Sequence, residues 1–291
     1  MTAVAAPRLS RRLGEGAFLA FCWIATLVAI VALAAILWSL LQQGIGGFLK
    51  PGGGGLDPNL FTRSTPAPGS EGGLLNAIVG SLMMCVAAMI GAVLIGFLAG
   101  TWLSEYARES HYGKVIRFLN DVLLSAPSIL VGLFIYEILV APLKGFSGFA
   151  GAVALALIAA PVITRTTEDV LKLQPTALRE ASVALGAPVW KTIFDVIWKS
   201  ARGGMLTGAL LAFARISGET APLLFTSLNN QFLSFDMTKP TANLPVVIFN
   251  FALSAYDDWR RLAWAGALLI AVTVLSVTVV ARILAREKAS A

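Results

Sequence analysis

The sequence predicts an all-α polytopic membrane protein with about six transmembrane helices, and three observations carry that expectation. Hydrophobic residues make up 57% of the 291 positions and charged residues only 13%, which places the chain in the membrane class. Several apolar stretches reach the ~20 residues that cross a bilayer, and polar turns separate them. Lys and Arg fall unevenly between alternate connections, as they do where one side of a membrane selects for positive charge.

The spans are expected near residues 17–41, 74–102, 115–140, 149–163, 204–225 and 262–284. The first follows a tail, 1–16, that carries Arg8, Arg11 and Arg12. It already exceeds a signal-peptide core and has no small-residue cleavage site at the right distance, so it is expected to stay attached. The loop 44–73 then runs through KPGGGG, DPN and TRSTPAPGSEGG, where glycine and proline oppose regular structure and polar residues oppose insertion. Its PGGGG run lacks the strand-to-helix setting and the Lys-Ser/Thr ending of a nucleotide-binding loop.

In the second span Asn76, Gly80, Gly91, Gly96 and Gly100 fit close helix packing. The third contains Ser125, Pro127 and Ser128, which could line a path or pack between helices. Asp121 and Glu137 near its ends have no accompanying nucleophile, base and oxyanion donors, so intramembrane hydrolysis is unsupported. The fourth span is short and can borrow residues from 144–148 or Thr164. Residues 244–255 are too few to cross and contain Asn250, which makes them an interfacial or re-entrant piece of the external segment 226–261. The Asp257-Asp258-Trp259-Arg260-Arg261 cluster marks an interface before the last span.

Arg8, Arg11, Arg12, Arg108, Lys114, Arg117, Arg165, Lys172, Arg179, Lys191, Lys199, Arg202, Arg282, Arg286 and Lys288 fall on one side. Lys50, Arg63, Lys144, Lys239, Arg260 and Arg261 fall on the other. This bias puts both termini, 1–16 and 286–291, in the cytoplasm. The net charge of +6 is thereby explained by topology rather than by nucleic-acid binding. Six spans and their connections account for the length as one membrane domain, 17–285, and leave no room for a nucleotide-binding domain. Cys22 and Cys85 lack pairing or ligand spacing and read as buried small hydrophobes. His111 stands alone and reads as a surface residue, so neither a catalytic nor a metal site is expected.

Arg215 and Glu219 sit one helical turn apart inside the apolar run 203–225. Ions at that depth need protein or water around them, so the pair reads as part of a gate or as a salt bridge that fixes helix packing. Thr220 adds a hydroxyl donor, and Pro222 frees the Gly218 carbonyl and favours a kink, giving a broken or bent helix beside a cavity.

Residues 166–203 form the most organised polar segment. From Leu178 onward, Leu178, Ala181, Leu185, Val189, Ile193 and Val196 recur at three- and four-residue intervals, with Arg179, Glu180, Lys191, Asp195 and Lys199 on wetter faces. Gly186 and Pro188 split this run into two short helices joined by an elbow. Trp190, Phe194 and Trp198 make a stripe able to dock into a partner or onto the membrane.

Glu180-Ala181-Ser182, followed after three residues by Gly186, resembles the Glu-Ala-Ala…Gly core of the coupling loop in ATP-binding-cassette importer permeases. The usual Ile-x-Leu-Pro exit is replaced by Val196-Ile197-Trp198-Lys199. The further elements Asn76-Ala77-Ile78-Val79-Gly80, Ala126 to Phe134 (APSILVGLF), Thr164-Arg165-Thr166-Thr167-Glu168 and Ser217 to Leu224 (SGETAPLL) together resemble the PstA-type permeases of bacterial phosphate importers. The similarity runs over about residues 72–282.

That resemblance implies an ABC importer type I permease fold in the bacterial inner (cytoplasmic) membrane, with a cytoplasmic coupling-helix elbow. It implies a PstC-type sister permease, two copies of a PstB-type ATPase that bind ATP and Mg, and a PstS-type phosphate-binding protein. The chain itself would bind no cofactor. Glu180, Ala181, Ser182 and Gly186 would enter a groove of the ATPase, whose closure would drive alternating access. The Asp257 to Arg261 cluster would offer a contact to the binding protein. Phosphate needs positive potential and hydrogen-bond donors along an apolar path, which points to Arg215, held by Glu219 in a closed state, with Thr220 beside it. Arg165, near Thr164 and Thr166, would be a second cation toward the exit, although a basic residue there also satisfies topology alone. Sulfate, molybdate or phosphonate permeases are the alternative substrate classes. An ion-coupled secondary transporter using Arg215, Glu219 and Glu137, or a non-transporting scaffold, is the alternative from another class.

Overall fold

The computed structural model describes residues 9–49 and 55–287. Arg8, Lys50, most of the glycine run and Lys288 lie outside these residues. The described chain comprises α1 (Leu9–Phe48), α2 (Leu75–Thr101), α3 (His111–Ser125), α4 (Ser128–Ile135), α5 (Gly148–Lys172), α6 (Thr176–Ala184), α7 (Trp198–Ser217), α8 (Ala221–Thr226), α9 (Leu244–Ala252) and α10 (Asp257–Glu287). Wider π-helical turns extend α2 (Trp102–Tyr106) and α4 (Tyr136–Val140) and lead into α7 (Thr192–Ile197).

Among the described residues, four helical stretches are long and apolar enough to cross a membrane: Gly14–Phe48, Leu75–Tyr106, Gly148–Lys172 and Asp257–Ile283. They match four of the expected spans. The expected third span is instead two helices bent by 104°. Pro127 disfavours helical geometry at the residue before it, and Ala126 is extended at φ −66°, ψ 135°. The fourth span does not stop near Ile163. It runs 25 residues to Lys172, stabilised along its polar end by the i,i+4 pairs Arg165–Asp169 and Glu168–Lys172. The first residues of the polar segment 166–203 therefore continue this helix. The expected fifth span is broken between α7 and α8.

Helix α5 is the centre of the bundle, between α2 and α7. Small residues let the backbones approach. A Cβ on Gly96 would lie 2.6 Å from Ile163, one on Gly204 2.5 Å from Val170, and one on Gly208 2.2 Å from the Thr166 hydroxyl. Met84, Ala88, Leu155, Ala159, Ala212 and Ile216 fill the space between these crossings. Helix α1 rests on α10 through Gly44 and Gly47. Cys85 is buried as expected, while Cys22 is half-exposed on α1.

The bundle end opposite the elbow is closed by loops and the short helix α9. Asn76 takes the Thr65 N–H at 3.0 Å and donates to the Asn230 carbonyl at 2.7 Å, and Asn243 caps α9 by accepting from the Val246 N–H at 2.9 Å. As the sequence suggested, α9 is too short to cross. Gly80 permits a close approach there, because a Cβ would sit 2.0 Å from the Ala242 carbonyl oxygen. Gly80→Ala is expected to cost about 1–3 kcal/mol, read as loss of the folded fraction on heating in detergent. Gly91→Ala, whose Cβ would meet only Ala156 at 4.0 Å, should stay within about 0.5 kcal/mol of the parent; equal behaviour of the two would refute the packing account.

Candidate functional site

Two places gather the chemistry, a helix break inside the bundle and an elbow at one end. At the break, α7 stops at Ser217. Gly218 takes φ −106°, ψ 3°, and the Glu219 N–H turns back to the Ile216 carbonyl at 3.2 Å. Thr220 then starts α8, with Pro222 in its first turn. Proline belongs there because a first-turn N–H has no intrahelical acceptor to lose. Pro222 thus opens a second helix rather than kinking one. It packs on α4, since a Cβ on Gly132 would lie 2.6 Å from the Pro222 Cα. The Thr220 side chain makes no capping bond.

Arg215 sits on the last turn of α7, 41% exposed, with its Nε 4.0 Å from Glu219 Oε1. That distance is too long for a hydrogen bond, so the guanidinium keeps donors for another acceptor. Arg165 is placed differently. Its Nε is 3.2 Å from Asp169 and its Nη1 3.8 Å from Asp121, so two carboxylates compensate it. Because Thr166 faces Gly208, the Arg165 level lies about 10 Å along α7 from Arg215, at 1.5 Å per residue. The two cations therefore occupy successive levels rather than one site. Thr164 and Thr166 spend their hydroxyls on the Ala160 and Val162 carbonyls, both at 2.8 Å.

At the elbow, α6 ends with Gly186 at φ +82°, a left-handed conformation that glycine adopts without strain. Pro188 follows, and the chain enters Val189–Lys191 and the π turn leading into α7. The second limb is therefore the root of a long helix, not a second short one. The buried Ser182 and Thr192 hydroxyls bond at 2.8 Å and tie the two limbs together. Glu180, Ala181 and Gly186 face solvent, as do Leu185 and Trp190 at 89% and 60% exposure. The aromatic stripe divides: Trp198 turns inward, donating to Thr101 Oγ1 at 3.0 Å and packing on Phe97.

Sequence reasoning missed two ionic clusters that hold this end. Arg179, assigned to a wetter face, instead forms a bidentate pair with Glu105 at 2.7 and 2.9 Å. Glu168 is buried, with Arg117 Nε and Lys172 Nζ each 2.6 Å from its Oε1. The signal that could have found Glu168, the last residue of the Thr164–Glu168 motif, was its i+4 spacing to Lys172.

The chain matches the model of the binding-protein-dependent transport system inner membrane component over residues 92–289. It is 52% identical over 279 residues to the phosphate transport system permease protein PstA of Pasteurella multocida, covering 96% of each chain. It is 51% identical over 254 residues to PstA of Yersinia pestis, covering 87% of this chain and 83% of that one. It is 34% identical over 270 residues to the probable phosphate transport system permease protein PstA of Methanocaldococcus jannaschii, covering 92% of each. A chain of the inward-facing MetNI methionine ABC transporter has the same fold, with a TM-score of 0.64 at 18% identity over 74% of this chain and 95% of that one. The two-limbed elbow and the broken helix thus sit in an ABC importer permease fold, and the chain belongs to the family of binding-protein-dependent transport system inner membrane components, alongside the PstA permeases.

Proposed function

We propose that this chain is the non-catalytic permease subunit of an ATP-driven importer that moves inorganic phosphate from a binding protein into the cytoplasm by alternating access. The reading gives it a PstC-type sister permease, two PstB-type ATPase subunits that hold ATP and Mg, and a PstS-type binding protein. Both termini lie in the cytoplasm. Arg108, Lys114, Arg117, Lys172, Arg179, Lys191 and Lys199 belong to the elbow end of the bundle, which supports that orientation.

The observation that carries the phosphate reading is the loosely held Arg215 at a helix break. Phosphate bears one to two negative charges near neutral pH, and a guanidinium held only loosely by its carboxylate partner can receive it without forming a deep trap. Glu219 supplies the competing partner, so tightening and loosening of the Arg215–Glu219 distance gates the anion. Thr220 and Pro222 shape the break, and Arg165 lies nearer the exit. The identity to the PstA permeases supports the same substrate.

The test is labelled phosphate uptake into proteoliposomes containing this chain, the sister permease and the ATPase, with the binding protein outside. ATP-dependent uptake that requires the binding protein is expected. An intact complex whose ATPase responds to the binding protein but which moves sulfate, molybdate or phosphonate instead would overturn the phosphate assignment. Uptake by this chain alone under a proton gradient would overturn the importer.

The exposed Glu180, Ala181 and Gly186 form the surface offered to the ATPase, with Ser182 bracing it from behind. Glu180→Lys reverses a contact charge at an interface rim, and copurification of the ATPase is expected to weaken by about tenfold, or ~1.4 kcal/mol. Unchanged association and unchanged uptake would remove Glu180 from the docking surface.

A further inference from the structure

The geometry points to the Glu105–Arg179 pair as the clasp through which movement of the elbow reaches the bundle, with Arg179 a positioning residue rather than a docking one. This rests on reading the chain as an ATP-driven importer permease. Arg179 precedes Glu180 in sequence but is only 16% exposed, and its partner Glu105 only 8%. Helix α6 thus presents Glu180 to solvent and sends the neighbouring side chain into the body of the protein. The guanidinium makes four bonds there. Nε donates to Glu105 Oε2 at 2.9 Å and Nη2 to Oε1 at 2.7 Å, while Nη1 and Nη2 reach the Gln174 and Leu171 carbonyls at 2.8 and 2.9 Å. One side chain therefore joins α6, the end of α5 and the end of α2.

The receiving end is built to be rigid. Glu105 lies in the π turn Trp102–Tyr106, and the Ser104 hydroxyl donates to its Oε1 at 3.0 Å. Arg117 of α3 fixes the same turn by donating from Nη2 to the Leu103 and Ala107 carbonyls at 2.9 and 3.2 Å. Inside the elbow, the Ser182–Thr192 bond makes the two limbs move together. The planar fork of Arg on carboxylate resists rotation as well as separation, which a single point contact does not. A displacement of α6 is thereby delivered to α2 and α5, the helices that pack at the bundle centre, while the docking face is left free.

The test uses the full complex reconstituted with the sister permease, ATPase and binding protein. Three quantities are read: copurified ATPase, binding-protein-stimulated ATP hydrolysis, and phosphate taken up per ATP hydrolysed. Glu105→Gln keeps the shape and removes the charge. It is expected to retain ATPase association and hydrolysis within about twofold while uptake per ATP falls at least about tenfold. Arg179→Lys keeps the charge without the fork and should give an intermediate ratio, and Glu105→Arg combined with Arg179→Glu should recover much of it. An unchanged ratio, or association, hydrolysis and uptake falling in parallel, would overturn the clasp.

A second readout needs no substrate. Spin labels at Val183→Cys and Tyr106→Cys, with Cys22 and Cys85 replaced, should report one narrow distance that is unchanged on ATP binding. In Glu105→Gln the distribution should broaden and shift. A narrow distance in both proteins would overturn the clasp whatever anion the complex moves, whereas failure of phosphate uptake in the parent complex with this contrast intact would overturn only the phosphate assignment.

Discussion

Glu168→Ala is expected to be among the most destabilising single changes in this chain, at about 3–5 kcal/mol. Its carboxylate is 1% exposed and receives Arg117 from α3 and Lys172 from its own helix at 2.6 Å each. Removing it leaves Arg117, itself only 17% exposed, without its counter-charge. Breaking one side of a buried pair costs more than the pair contributes, because the remaining ion is left desolvated. Arg117 retains the Leu103, Ala107 and Arg108 carbonyls, which satisfy its donors but not its charge. Lys172 is 41% exposed and can turn to water. The measurement is the midpoint of thermal unfolding in detergent, followed by loss of the monodisperse species. Glu168→Gln should cost less than Glu168→Ala, and Glu168→Gln with Arg117→Met should recover part of the loss, since the Arg117 charge is then no longer buried without its counter-ion. A midpoint unmoved by Glu168→Ala would show that water, not the carboxylate, stabilises Arg117.

How far the sequence could be read follows from the range of the interactions. The apolar run of a span and the Gly186 bend are local, and both are found in the structure, at Leu75–Thr101 and at φ +82°. Arg179 and Glu105 are 74 residues apart, and Arg117 and Glu168 51. No window of helical length contains either pair, so Arg179 read as solvated by its place on the amphipathic wheel. The third span is bent for a local reason that was visible. Ala126 before Pro127 is biased away from helix, but the hydropathy on both sides hid the turn. Gly96 and Gly100 of the second span were read correctly as helix-packing positions, whereas Gly80 meets the Ala242 carbonyl of a loop and Gly91 has only Ala156 at 4.0 Å. The looseness of Arg215 was not legible: four-residue spacing says that two side chains can meet, not that they stand 4.0 Å apart.

Arg215→Ala is expected to lower phosphate transport by at least about tenfold while leaving assembly and ATPase docking intact. Arg215 is half-exposed and its partner lies at 4.0 Å, so deleting it removes little packing and strands no tightly paired ion. Glu219 is 18% exposed and remains as a negative charge at the break. At an effective dielectric constant of 20, a unit charge 4 Å away contributes about 4 kcal/mol. Losing the cation and retaining the anion thus opposes phosphate twice over, and even a third of that energy corresponds to about tenfold. Glu219→Gln acts in the opposite sense, leaving Arg215 without a competitor; phosphate should then be held longer, and release should slow. Arg215→Lys preserves charge but not the fork and should fall between parent and alanine variant. The pair can also be read as a brace for helix packing, and the variants separate the two accounts. A brace predicts that Arg215→Ala and Glu219→Gln impair stability together and that neither alters transport per assembled complex. A gate predicts normal melting midpoints with opposite effects on anion entry and release.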